Sequence, residues 1–383
     1  MRNLPKKEPD RRMRPRIIMT RRVRSGRNHR ILRTRHMPPT DARLALIHDW
    51  VSAGLGLSPK AIEPASSDAS FRRYFRIFAG RANGLPGTFI VMDAPPGKED
   101  VRPYVAVSRL LEATGVHVPH IHEIDSEQGL LLLEDLGSTP YLARLNAGDD
   151  ADALYSDALG ALADIQVKGR DAAAELAPYD RAVLMREMSL MPEWFTGKHL
   201  ALSLSAGEQA EMASAFEFLV AEALAQPQVF VHRDYHSRNL MVTREHNPGI
   251  IDFQDALAGP IGYDLVSLLK DCYISWPRER VERWVSGYRA QLVKRGGPGG
   301  QDEREFLRWF DLIGVQRHIK VLGIFARLWY RDGKPGFLAD LPLTLEYVRD
   351  TCARYPELAG LSRIVEQHFA PQLPRANERV ARR

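Results

Sequence analysis

The sequence predicts an α+β fold of two lobes, a small β-rich one followed by a larger, mostly helical one. Three observations carry this. Short apolar strand patterns separated by turn residues crowd the region 71–137. Long stretches of helical periodicity fill most of the chain after Gly137. Three short apolar runs, around 228–232, 240–243 and 249–253, interrupt those helices and hold a dense group of polar residues between them.

From Thr40, "TDARLALIHDWVSAGLG" places Leu44, Ile47, Val51 and Leu55 on one helical face, with Gly54 and Gly56 at the stop. "FRRYFRIF" (71–78) and "GTFIVMDAP" (87–95) read as strands, and the turn residues of "RANGLPG" join them as a hairpin. "VRPYVAVSRLLEATG" (101–115) is an amphipathic helix ending at glycine. "HIHEIDSEQGLLLLEDLG" (120–137) gives a strand, a turn and an apolar strand. Helical patterns then run over 150–168, 180–196, 206–225, 261–274, 278–295, 303–330 and 340–355. The expected boundaries are a small lobe over 41–134 and a large one over 138–383, connected through "LEDLG" (133–137), with a ligand cleft between them.

The formal net charge of +5 conceals two unlike parts. Residues 1–40 hold 14 Lys or Arg against Glu8 and Asp10, and have almost no apolar periodicity, so this basic tail is expected to be disordered. Its "PRIIMTRRV" lacks the apolar run of about 7–15 residues that an export signal needs. Met37 opens "MPPTDARLALIHDWV", so the tail reads as upstream sequence translated from too early a start codon. Residues 41–383 are mildly acidic, with 39 basic against 46 acidic side chains, which argues for no nucleic-acid partner. No apolar run approaches the roughly 18 residues of a membrane span, and no obligate protein partner is evident. Cys272 and Cys352 are the only cysteines, far apart, which fits a reducing, cytoplasmic setting and neither a disulfide scaffold nor a zinc site.

The polar group sits in "VHRDYHSRNLMV" (231–242), and "GIIDF" (249–253) follows. Asp234 and Asn239 are five apart, and Asp252 ends the next strand thirteen residues later. Phosphoryl transfer needs a carboxylate that orients or deprotonates the attacking hydroxyl, together with an amide oxygen and a second carboxylate that hold Mg²⁺ against nucleotide phosphates. The pattern H-R-D-x-x-x-x-N followed by a strand ending in Asp-Phe supplies those groups in that order. Asp234 is therefore the expected catalytic residue, and Asn239 and Asp252 the metal ligands. His232 and Phe253 are expected to pack and orient the loop. Only about ten residues separate Asp252 from "YDLVSLLKD" (263–271), too few for a segment that docks a peptide, so the acceptor is a small molecule. Asp264 is expected to pin the catalytic loop or cap the following helix.

With these motifs, "GIIDFQDALAGPIGYDLVSLLKD" and the order of the lobes, the chain resembles the aminoglycoside phosphotransferase family over roughly residues 45–350. "SDASFRRYFR" (67–76), "VMDAPPGKED" (91–100), "LLLEDLG" (131–137) and "QRHIKVLGIFARLWYRDGKPGFL" (316–338) bring it nearest to the kinases that phosphorylate N-acetylmuramate and N-acetylglucosamine at the anomeric C1 hydroxyl in cell-wall recycling. The resemblance implies a bilobal protein-kinase-like fold, ATP and Mg²⁺, an amino-sugar acceptor, and the same roles for Asp234, Asn239 and Asp252.

The chain departs from the kinase pattern at the phosphates. "SSDASFRRYF" has no glycine, and "FIVMDAPP" places Met92 and Asp93 where a lysine is usual. Ser67, Ser70, Arg73 and Arg76, together with Glu134 at the connection, are the nucleotide-binding candidates; Lys98 is a further cation. On the acceptor side, Arg317, Lys320, Arg327 and Arg331 share one helical face, with His318 and Lys334 nearby. Arg317, His318 and Lys320, with His236 and Arg238 of the catalytic loop, are the expected substrate contacts. Cations favour an acceptor bearing a carboxylate, such as the lactyl group of N-acetylmuramate, over a polycationic aminoglycoside. The alternatives are another small-molecule kinase, for an aminoglycoside, choline or a homoserine-like acceptor, and a nucleotide-binding scaffold without activity.

Overall fold

The structure, a computed structural model, describes residues 41–67, 71–79 and 87–381. The expectations for the basic tail, and Ser70, lie outside the described residues. Helix α1 (Ala42–Asp49) runs on into a π turn (Trp50–Gly54). It starts where Asp41 accepts the N–H groups of Arg43 and Leu44, the bond an N-cap aspartate supplies. Five antiparallel strands follow: β1 (Pro59–Ser67), β2 (Arg73–Ala79), β3 (Thr88–Asp93), β4 (Ile121–Asp125) and β5 (Leu130–Glu134), in the order β1-β2-β3-β5-β4. Helix α2 (Arg102–Thr114) is inserted between β3 and β4 and ends at Gly115, whose φ of 83° suits glycine.

The two faces of this sheet have different tasks. Phe75, Ile77, Phe89, Val91, Leu130 and Leu132 pack with Ile47 and Val51 of α1 into a small core of their own. Met92, Leu131 and Leu133 point the other way and join the main core of the helical lobe. The period-2 alternation of strands thus decides which residues can see the cleft. Strand β1 has no signature in the sequence because it is an edge strand with two prolines, and its pairing with β2 is irregular after Pro59 and Pro64.

The larger lobe opens with α3 (Tyr141–Ala147), α4 (Ala151–Lys168), α5 (Arg170–Ala173), α6 (Arg181–Met188) and α7 (Ala206–Ala225). Ser205 and Glu208 form a reciprocal capping box at the start of α7. Strands β6 (Gln228–Val231) and β9 (Leu257–Pro260) pair with each other, and β7 (Leu240–Met241) pairs with β8 (Gly249–Ile250). Then come α8 (Gly262–Leu269), α9 (Arg278–Lys294), α10 (Glu303–Tyr330), α11 (Leu341–Cys352), α12 (Ala359–Ile364) and α13 (Ala370–Ala381). Among the described residues no helix is long and apolar enough to cross a membrane.

Helix α10 is the axis of this lobe. It spans 28 residues, and every residue from Phe310 to Gly323 is buried. Gly323 is required there, because a Cβ would lie 2.5 Å from the Leu190 carbonyl carbon. The helix that carries Arg317, His318 and Lys320 is therefore interior, and the continuous basic face expected from its sequence is broken up. Arg317 and Lys320 are buried, Arg327 is half-buried, and Arg331 is exposed and paired with Asp332.

Candidate active site

The loop between β6 and β7 is held by its backbone. Asp264, in the first turn of α8, accepts the N–H groups of His232 (2.6 Å) and Arg233 (2.9 Å). The pinning role expected of Asp264 is the one it has. His232 is wholly buried; its Nε2 lies 3.1 Å from the Ile251 carbonyl and its Nδ1 accepts the Asp234 N–H at 3.2 Å. That pattern needs the neutral ring protonated on Nε2, and burial lowers its pKa to about 4. Arg233 adopts φ 77° and sends its guanidinium to Glu187 at 2.5 Å.

These ties fix the backbone on which Asp234 stands. Asn239 follows at the start of β7, and its Nδ2 donates to the Asp234 carbonyl (3.1 Å) and to Asp252 Oδ2 (3.1 Å). Asp252 sits just past β8 at φ 66°, and Gln254 Nε2 donates to its Oδ1 at 2.8 Å. The β7–β8 pairing brings Asn239 and Asp252 together, since Ile251 N–H donates to the Asn239 carbonyl at 3.0 Å. Both amide hydrogens of Asn239 are in use, so its amide oxygen is the group that can take a cation. A carboxylate beside an amide oxygen is a hard-oxygen donor set, which fits Mg²⁺.

Burial alone would raise the Asp234 pKa, but the charges of Lys320, His236, Arg317 and Arg233 outweigh it and hold the carboxyl below its ordinary value. Asp234 is an anion at neutral pH. Lys320 Nζ lies 2.9 Å from the Tyr263 hydroxyl and 3.1 Å from Glu187. Arg317, 4% exposed, has one Nη 3.8 Å from Cys272 Sγ, and its Nε has no hydrogen-bond partner. Arg238 is exposed and lies 3.5 Å above the Tyr273 ring, which the His236 ring meets edge-on at 5.5 Å. Burial lowers the His236 pKa.

His318 requires a correction. It is one residue round the helix from Arg317, and its Nε2 lies 2.9 Å from the Lys270 carbonyl while its ring stacks on Tyr347. Burial, then the Arg317 charge, push its pKa well below the ordinary value, so it is a neutral packing residue and no cation for an acceptor.

A cavity of about 500 Å³ lies between the lobes. The sheet contributes Tyr74, Arg76 and Ile90, the helical lobe contributes Met241 and Ile251, and the connection 134–138 forms its rim. Asn239 and Asp252 line it as well, as does Tyr104 of α2, whose ring lies 4.7 Å from that of Phe253. Ile90 and Met241 give a flat ring two apolar walls.

The nucleotide candidates divide. Arg76 lines the cavity, but its guanidinium is bound bidentately to Asp135 (2.8 and 2.9 Å) and to the Gly137 carbonyl. Glu134 is at the rim, held by His117 (3.1 Å) and the His120 N–H (3.2 Å), and the His117 bond lowers its pKa. Arg73 is the second correction. Being odd-numbered in β2, it lies on the α1 side of the sheet, bound to Asp93 (2.6 Å) and Asp41 (2.5 Å). Ser67 ends β1 opposite Arg73. Met92 is fully buried, and the place of the usual lysine is apolar.

Sequence reasoning missed Glu187. Its carboxylate is nearly buried and takes hydrogen bonds from Arg233 and the Tyr179 hydroxyl as well as the Lys320 ion pair. "RAVLMREM" carries no motif that could have shown it. It also missed Asp271, a buried carboxylate that holds the catalytic loop through the Ser237 N–H at 3.1 Å.

Residues 61–310 match the profile of the phosphotransferase enzyme family. The N-acetylmuramate/N-acetylglucosamine kinase of Pseudomonas putida is 44% identical over 341 residues, covering 86% of this chain and 98% of that protein. The protein of the same name from Pseudomonas aeruginosa is 47% identical over 335 residues, covering 85% and 96%. Among solved structures, the choline kinase LicA of Streptococcus pneumoniae superposes with a TM-score of 0.56 at 13% identity, covering 82% of this chain and all of the other. An ethanolamine kinase of Plasmodium vivax also gives 0.56 at 13%, covering 84% and 90%. The fold is thus the bilobal kinase-like one.

Proposed function

This chain belongs to the phosphotransferase enzyme family, and on that premise we propose that it is an ATP-dependent kinase acting on the anomeric C1 hydroxyl of N-acetylmuramate and N-acetylglucosamine. The observation that carries the reading is that Asn239 and Asp252 line one cavity, and that the Asn239 amide ties Asp252 to the backbone of Asp234. The cavity between Ile90 and Met241 takes the base, and the connection 134–138 takes its polar edge. Asn239 and Asp252 hold Mg²⁺, which when bound neutralises charge on the nucleotide phosphates.

Asp234 receives the acceptor hydroxyl as a hydrogen-bond donor and aims its oxygen along the line of transfer. The buried cations around it keep it ionised, so it orients strongly and takes the proton late. An anomeric hydroxyl suits such a weak base, because the ring oxygen withdraws charge and makes it the most acidic hydroxyl of the sugar. His236 and Arg238 border the acceptor, and Arg317 and Lys320 supply the positive field behind it. Of these two, Arg317 is the better receptor for the lactyl carboxylate, since Lys320 is engaged with Glu187 and Tyr263. We place the enzyme in the cytoplasm, where its free, buried Cys272 and Cys352 stay reduced and where recycled cell-wall amino sugars would meet ATP.

A coupled ADP-release assay over N-acetylmuramate, N-acetylglucosamine, choline and kanamycin tests the class of acceptor. Phosphorus coupling to the anomeric proton in the NMR spectrum of the product tests the position. ADP release that needs choline or kanamycin, or a phosphate on C6, refutes the reading.

A further inference from the structure

A phosphoryl group in transfer spreads negative charge over its equatorial oxygens. The strand position where a lysine would serve the phosphates is the buried Met92. Among the described residues that line the cavity, the cations are Arg76 and Arg238. Arg76 is tied to the connection, where the base is placed, by Asp135 and the Gly137 carbonyl. Arg238 directly precedes the metal-site Asn239.

The surroundings of Arg238 are fixed. Both its chain neighbours are bonded: the Ser237 N–H donates to Asp271 (3.1 Å), and the Asn239 amide donates to the Asp234 carbonyl and to Asp252 (3.1 Å each). Its guanidinium carbon lies 3.5 Å from the centre of the Tyr273 ring. Asp271 anchors that ring as well, accepting the Tyr273 N–H at 3.1 Å. One buried carboxylate thus holds both the loop and the platform on which the guanidinium rests. The same ring meets His236 edge-on at 5.5 Å. Arg238 therefore borders the nucleotide cavity and, through Tyr273, the loop residue that borders the acceptor. A group passing from one substrate to the other crosses this junction. A guanidinium resting on a ring uses its face, and its N–H groups, which lie in its plane, stay available to donate. Among the described residues no carboxylate forms an ion pair with Arg238, so those donors are not consumed by the protein.

We infer that Arg238 is a catalytic residue that holds the phosphoryl group during its transfer. The inference rests on the kinase reading and names the cation that reading lacks at the transferred group. As the sugar O1 forms its bond to the γ-phosphorus, the bond from that phosphorus to the β–γ bridging oxygen breaks. ADP leaves, and the hydroxyl proton passes to Asp234. Two parallel N–H groups of Arg238 bridge two equatorial oxygens of the moving group, a fit that a single ammonium does not reproduce.

N-acetylglucosamine, which has no carboxylate, separates this role from recognition of the lactyl group. With it as acceptor, Arg238→Gln in the full chain is expected to lower kcat about 10²- to 10³-fold, the range for a lost donor at a developing charge. The KM for the sugar and the affinity for ADP with Mg²⁺ stay within about threefold of the parent, because neither carries the transferred group. Arg238→Lys stays close to Arg238→Gln, since an ammonium has no planar fork. Both variants keep the parent's melting temperature, because the side chain is exposed. Calorimetry gives a readout without turnover. Aluminium fluoride mimics the planar group in transfer and is expected to tighten binding of ADP with Mg²⁺ to the parent chain about 10-fold or more, a gain that Arg238→Gln loses. A kcat within about threefold of the parent, an equal fluoride gain in both chains, or a comparable loss of ADP affinity overturns the inference and leaves the kinase reading standing. So does an unchanged kcat with a KM rise confined to N-acetylmuramate, which would make Arg238 a lactyl contact. A parent chain that phosphorylates neither amino sugar overturns the kinase reading itself.

Discussion

Replacing Asp264 by alanine removes the acceptor of two backbone donors at once. The His232 and Arg233 N–H groups, now 2.6 and 2.9 Å from its oxygens, are left inside the lobe without a partner. Each such group costs about 1–3 kcal/mol, so the loss of stability is about 2–6 kcal/mol. Asparagine keeps the shape and one acceptor oxygen, and is expected to lose about half as much. Activity falls further than stability, because Arg233 at φ 77° has no other backbone tie at this point and Asp234 follows it directly. A misplacement near 1 Å costs on the order of 10²-fold in kcat. The pH dependence has a definite sign. Burial, against the pull of the two N–H groups, raises the Asp264 pKa from 3.8 to about 7. A carboxyl raised on folding contributes stability that is complete below pH 3.8 and is lost as pH rises through about 7. Between pH 5 and 8 the parent chain should therefore lose about 2–3 kcal/mol relative to Asp264→Asn. Urea unfolding at several pH values measures this, and turnover at saturating sugar measures the rest. An alanine variant that loses less than about 1 kcal/mol and keeps its kcat would refute the account of the loop, whereas a pH-independent gap would refute the account of the carboxyl.

Asp234→Asn should lower kcat by about 10²-fold or more while ATP binds as before, which separates orientation of the acceptor from nucleotide affinity in one titration. Asp252→Ala should abolish the strengthening of ATP binding by Mg²⁺, read as identical calorimetric curves with the cation and with a chelator. Glu187→Gln removes the charge that faces Arg233 and Lys320, and should cost about 3–5 kcal/mol in urea unfolding, the range for a broken buried pair.

The catalytic loop was legible because its chemistry fixes both residue types and spacing. Asp234, Asn239 and Asp252 lie within nineteen consecutive positions, in the loops beside two short strands, and pairing of β7 with β8 brings Asn239 and Asp252 together with little help from the rest of the chain. Arg73 and His318 were misread for a shared reason. Each is a cation candidate one position out of phase with the cleft, and a one-residue step turns a strand side chain to the other face and a helix side chain by about 100°. Glu187 was invisible because its function comes from tertiary packing: α6 and α10 meet at Lys320 and Gln316, more than 120 residues away in the chain. Strand β1 was missed because two prolines interrupt it, and the helices after residue 355 because one is only six residues long and the other carries Pro374 in its interior.

The apolar side chain at position 92 has a practical outcome for chemical biology. Among the described residues that line the cavity there is no lysine. Reagents that tag nucleotide sites by acylating a nearby amine have nothing to react with there, and a guanidinium, protonated at any working pH, does not substitute. A proteome-wide survey built on such probes would leave this enzyme uncounted even where it is abundant and saturated with nucleotide.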